Sequence, residues 1–92
     1  LQMEWRWDQR KAVANKAKHG VSFELAVLVF ADPLHLSQPD SHPDGNRWIT
    51  IGRVSTATLL VVHTWFDDES GGRIISARKA TAYERHAYEE GI

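Results

Sequence analysis

Between residues 47 and 79 three strand-like runs follow one another with little between them: RWITIGR (47–53), TLLVVHTWF (58–66) and RIISARK (73–79). Each is rich in β-branched and aromatic residues and bounded by turn-forming ones. The connections, residues 54–57 and 67–72, are too short for a crossover, so the runs must pair as an antiparallel meander. The middle run is apolar on both faces, which places it centrally in the sheet. Whatever else the chain does, its other segments have to pack against this meander.

Those segments read as follows. MEWRW (3–7) alternates apolar and polar residues, a short strand with Met3, Trp5 and Trp7 on one face. Asp8 is a good N-cap for a helix over 9–19, and Gly20 stops it. Ser22 caps a second helix, on which Phe23, Ala26, Val27 and Phe30 form an i, i+3, i+4, i+7 stripe until Asp32 and Pro33 end it. Residues 34–37 make a short strand and QPDSHPDGN (38–46) a loop. Thr81 and Glu84 form a capping box that opens a helix from Ala82 to about Glu90. The order is β-α-α-β-β-β-β-α. The expected fold class is α+β: a small antiparallel sheet flanked by N-terminal helices and a short C-terminal helix, with the helices on one face and part of the other left over. The 92 residues suit one domain, 3–92, with Leu1 and Gln2 read as a remnant outside it.

The absence of cysteine excludes disulfides, thiolate zinc sites and a cysteine nucleophile, and fits a reducing cytoplasm. No run of eighteen apolar residues is present, and the polar, Trp-rich start shows no signal peptide. A formal net charge of -1 announces neither nucleic acid nor membrane. The charges are segregated, with acids in residues 40–44, 67–69 and the C-terminal end, and bases near strand ends and in the first helix.

Residues two apart in a strand share a face, so His63 and Trp65 point the same way as Leu59 and Val61. Arg47 and Arg53 likewise share a face. Arg78 and Lys79 point to opposite faces, so at most one stands beside His63; the other reaches round a strand end or braces the C-terminal helix. Two readings stay open. In one, arginine forks hold a phosphate, histidine moves a proton and tryptophan stacks a base, a set suited to metal-free RNA cleavage by 2′-hydroxyl attack. In the other, the commoner circumstance, these are ordinary sheet residues and solvated strand ends. Lys18 and His19 beside Gly20 favour the helix dipole; with Arg10, Lys11 and Lys16 they can also touch RNA phosphates. His35, His42, His63, Asp40 and Asp44 could serve as metal ligands, but at no template spacing. No Gly-x-Ser-x-Gly and no Gly-rich phosphate loop occur.

Several stretches, in order, resemble the BrnT family of bacterial toxins: WDQRKAVANKAKHGV (7–21), Phe23 and Glu24 with Ala26, Phe30, Asp32 and Pro33, RWITIG (47–52), LVVHTW (60–65), and IISARKAT (74–81) with Glu84 and Tyr88. The resemblance runs from Trp5 to Glu89. It implies a RelE/ParE-like fold and a ribonuclease toxin of a type II toxin–antitoxin system that cleaves RNA without metal or cofactor and stops translation. The implied partners are RNA and a BrnA-type antitoxin in a hetero-oligomer, with operator DNA met only through the antitoxin, no membrane, and a cytoplasmic location. It implies phosphate binding by Arg78 and Arg53 and proton transfer or stacking by His63. Arg47, Trp65, Lys79 and Lys18 are the expected substrate-binding residues, and Trp48 a second stacking ring. The chain departs from the family at Phe66, where members commonly carry arginine, and at Asn46, where they often carry glutamate. Those departures keep a rival in view: a catalytically weak or inactive module that binds an antitoxin or a DNA-processing enzyme.

Overall fold

The computed structural model describes residues 3–41 and 45–91. Its strands are β1 (Glu4–Arg6), β2 (Leu36–Pro39), β3 (Trp48–Val54), β4 (Ala57–His63) and β5 (Gly71–Lys79), and its helices α1 (Gln9–His19), α2 (Phe23–Ala26) and α3 (Ala82–Glu90), with a 3₁₀ turn at Val27–Ala31. The class is α+β. The sheet order is β1-β5-β4-β3-β2, and β2 to β5 form the antiparallel meander that the short connections require.

Four local features differ from the sequence reading. First, β1 pairs with β5 in parallel, so the sheet is mixed. Gly71 makes the pairing possible, since a Cβ there would stand 1.7 Å from the Glu4 carbonyl oxygen; a Cβ on Gly72 would instead stand 1.8 Å from the Thr64 carbonyl oxygen on the β4 side. Second, the segment after Ala26 tightens to 3₁₀, which turns the fully buried Val29 inward and leaves Val27 and Phe30 half-buried. Third, Gln38 and Pro39 extend β2 instead of starting the loop. Proline is tolerated because β2 is an edge strand. Fourth, the helices do not share one face.

α1, α2 and the 3₁₀ turn cover one face, burying Val21, Phe23, Ala26 and Val29 against Leu59, Val61, Ile74 and Ala77. Trp5 from β1 and Trp7 just after it close this core, whereas Met3 is exposed. Asn15, buried in α1, donates to the carbonyls of Val21 (3.0 Å) and Ala77 (2.8 Å) and accepts from the Ala77 N–H (3.1 Å), tying helix to sheet. α3 crosses to the opposite face. Its Tyr83, Ala87 and Tyr88 overhang Leu36, Ile51 and Leu60 across an apolar groove of about 370 Å³. Among the described residues, no helix covers the remainder of that second face. No helix is long and apolar enough, among the described residues, to cross a membrane.

Candidate active site

Register assigns each candidate residue to a face. Leu59 and Val61 pair with Lys79 and Ala77, and His63 with Ile74, on the side covered by α1 and α2. Leu60 pairs with Arg78, and Thr58 with Arg53, on the side of α3. Arg47, six residues before Arg53, falls on that side too. A bulge at Ile75 shifts the β4–β5 ladder, since Val62 pairs with Ser76 but His63 with Ile74. The bulge brings Arg73 to the same face as Arg78. The α3 side of the meander thus presents four arginines: Arg47, Arg53, Arg73 and Arg78.

His63 is not among them. It is fully buried in an aromatic box, with its ring edge-on to Trp5, Phe30 and Trp65 at 5.3, 4.9 and 5.1 Å. Its Nδ1–H donates to the Thr64 carbonyl at 3.0 Å. The other nitrogen, Nε2, therefore accepts from the Thr50 hydroxyl at 2.7 Å, and Thr50 in turn contacts Ser37 at 2.6 Å. Burial pushes the imidazole below its usual pKa, only partly opposed by the Thr64 bond. The shared phosphate site of His63, Arg53 and Arg78 expected from sequence is not found: the sheet stands between them. Lys79 shares His63's side but sits four strand positions away and exposed. Lys18 lies in the last turn of α1, in the layer on the far side of the sheet.

At one end of the arginine-bearing face, α3 meets Arg53 and Arg78. Arg78 forms a two-pronged pair with Glu84, at 2.7 and 2.9 Å. Glu84 also accepts from the Thr81 N–H in the capping box, and Arg78's guanidinium holds its pKa down to about 2. Arg53 pairs with Glu89 at 3.2 Å and lies over the Tyr88 ring at 5.8 Å. Tyr88 donates its hydroxyl to Asp32, which also accepts from the Arg53 and Leu34 N–H groups. Burial raises the Asp32 pKa, but these three bonds outweigh it and leave the carboxyl below its ordinary value. Accepting Tyr88's hydroxyl makes Asp32 raise the tyrosine's pKa in turn. Both arginines are thus matched by carboxylates of one helix.

At the other end, a cleft of about 550 Å³ opens between the residues before β3 and the β4–β5 turn, lined by Asn46, Arg47, Trp65, Phe66, Asp67 and Arg73 among others. Asn46 clasps the Trp65 backbone from both sides, donating to its carbonyl at 2.7 Å and accepting from its N–H at 3.1 Å. Arg6 stands over the Phe66 ring at 5.1 Å. Both positions at which the chain departs from the resembled family, 46 and 66, border this one cleft. Trp65 lines it while its ring packs on His63 and Trp5. Trp48 pairs with His63, half-buried, on the opposite side from the arginines.

Sequence reading missed Arg73, because ordinary alternation along β5 puts residues 73 and 78 on opposite faces and nothing local announces the bulge. It also missed the pairing of Glu89 and Tyr88 with Arg53, for which no local signal exists. Of the metal-ligand candidates, His42 and Asp44 lie outside the described residues. Among those described, no three His, Asp or Glu side chains group closely enough to hold an ion.

No individual curated protein matches the chain. Residues 7–84, from just after β1 through the first turn of α3, match the family model described as ribonuclease toxin, BrnT, of type II toxin-antitoxin system. The chain, with its arginine-lined sheet face, belongs to the BrnT family of type II ribonuclease toxins.

Proposed function

We propose that this protein is a metal-independent endoribonuclease that stops translation by cutting RNA and is silenced by a BrnA-type antitoxin. The observation that carries the reading is the convergence of Arg53 and Arg78 at one end of an open sheet face in a chain of this family. Arginine forks match phosphate oxygens as well as they match carboxylates. An RNA phosphate entering there takes over guanidinium contacts now made by Glu84 and Glu89.

In the proposed reaction the 2′-oxygen forms a bond to phosphorus while the bond from phosphorus to the 5′-oxygen breaks. The 2′-hydroxyl proton passes to a carboxylate, and the leaving 5′-oxygen takes a proton from solvent. Glu89, freed from Arg53 by the incoming phosphate, is the acceptor; Glu84 is committed to both Arg78 and the α3 cap. Arg53 and Arg78 stabilise the charge that grows on the phosphate. His63 contributes by holding Trp65 and Thr50 in place, not by meeting substrate.

The test is digestion of RNA by purified protein in EDTA, with Arg53→Ala and Arg78→Ala alongside and their folding checked by circular dichroism. Cleavage that survives EDTA and drops by ~10²–10³ in Arg53→Ala is expected. Full activity in both variants refutes the site, and loss in EDTA refutes metal independence.

A second reading has support of its own, because both arginines are already matched by Glu84 and Glu89. In it the chain binds an antitoxin or a DNA-processing enzyme without cutting RNA. Intact RNA together with tight antitoxin binding would favour it.

A further inference from the structure

The cleft bordered by Asn46, Arg47, Trp65, Phe66, Asp67 and Arg73 is separate from the end of the sheet where α3 meets Arg53 and Arg78. Arg47 lies six strand positions from Arg53, roughly 20 Å at the usual rise per residue. One phosphate cannot reach both ends. We infer that this cleft is a second RNA-backbone subsite, in which Arg47 and Arg73 hold a phosphate further along the strand from the one that is cut. The inference rests on the ribonuclease reading above and adds to it the residues that track the substrate.

Three features point to a phosphate occupant. The two arginines come from separate strands, and only the Ile75 bulge brings them to one face. Arg73 makes no ion pair among the described residues, whereas Arg53 and Arg78 are each matched by an acid of α3. Among the described lining residues Asp67 is the one acid, so these carry two positive charges against one negative. The walls are also held still. Asn46 fixes the Trp65 backbone through two hydrogen bonds, and the Trp65 ring is wedged against Trp5 and His63. Two guanidinium groups lining one cleft beside the Trp65 and Phe66 positions suit the backbone of an unpaired strand.

The test is fluorescence anisotropy with a short single-stranded RNA carrying a 2′-O-methyl group at every position, which cannot be cut by 2′-hydroxyl attack. Arg73→Ala should weaken binding by ~10-fold at low salt and flatten the salt dependence by ~0.7 on logarithmic axes, the loss of one phosphate contact to a single strand. Arg73→Lys should fall between wild type and Arg73→Ala, keeping the charge without the fork. If Arg73→Ala binds RNA as tightly as wild type, the subsite is refuted while the ribonuclease reading stands. Weakened antitoxin binding with unchanged RNA affinity refutes it too and gives the cleft to an acidic protein segment. If wild type neither binds nor cuts RNA, the ribonuclease reading itself fails.

Discussion

Arg78 and Glu84 face each other through two parallel hydrogen bonds, Nη1 to Oε1 at 2.7 Å and Nη2 to Oε2 at 2.9 Å, and so lock the end of β5 to the first turn of α3. Glu84 has its pKa lowered from 4.5 to about 2, chiefly by Arg78. The folded value lies below the unfolded one, so the stabilisation is complete above about pH 4.5 and is lost as pH falls through about 2. Glu84→Gln keeps the reach of the capping box and removes the charge. Because part of the pair is open to water, it should cost about 1–2 kcal/mol at pH 7. The gap between wild type and variant, read from urea unfolding, should narrow steadily toward pH 2. A gap that does not change with pH would mean the ion pair contributes nothing.

Asn15 supplies a second prediction. Its amide makes three buried hydrogen bonds to the backbone at Val21 and Ala77, joining α1 to the central part of β5. Asn15→Ala leaves two carbonyls and an N–H without partners and should destabilise by about 2–4 kcal/mol. Asn15→Asp is nearly the same shape yet loses both donors and buries a carboxylate, so it should be worse at pH 7 and recover in part as the carboxyl protonates. Thermal melts at pH 7 and pH 4 separate the two. Equal stability of Asn15→Asp and wild type would rule out this role.

The contrast between what the sequence disclosed and what it hid has a physical origin. The α1 ends were legible because caps are local: Asp8 accepts from Arg10 and Lys11, and Gly20 takes φ 73. The capping box of Thr81 and Glu84 was legible for the same reason. The alternation that placed His63 with Leu59 and Val61, and Arg47 with Arg53, also held. Alternation says which residues share a face, but not which face the helices take. That choice depends on packing between distant elements, and it separated His63 from both arginines. The bulge at Ile75 broke parity along β5 and hid Arg73. The parallel pairing of β1 was hidden because it joins the two ends of the fold and leaves no short connection to read.

His63 makes stability sensitive to mild acid. Burial holds its folded pKa below 6.5, so the unfolded chain binds a proton that the folded chain resists. The stabilisation is present above pH 6.5 and is lost as pH falls toward the folded value, with a slope of up to about 1.4 kcal/mol per pH unit. Protonation would also set an Nε2–H against the hydroxyl hydrogen of Thr50, breaking the chain to Ser37. Urea midpoints should therefore drop between pH 6.5 and 5 in wild type. His63→Gln should be less stable at pH 7 and should flatten that drop. A wild-type curve flat across this range would show that His63 is not held neutral.

Glu89 provides the sharpest division between the two functional readings. It stands 3.2 Å from Arg53, where it neutralises the guanidinium in the absence of RNA and, in the proposed reaction, accepts the 2′-hydroxyl proton once phosphate has displaced it. Glu89→Gln removes both effects while keeping the size of the side chain. Loss of the base should lower kcat by ~10²–10⁴. Loss of the competing charge should leave KM unchanged or lower it, because Arg53 then meets phosphate without first giving up a carboxylate. Arg53→Ala should instead raise KM as well as lower kcat. If Glu89→Gln lowers KM yet keeps kcat, Glu89 only screens Arg53 and another group takes the proton. If neither parameter moves, the α3 end of the sheet is not where RNA is cut.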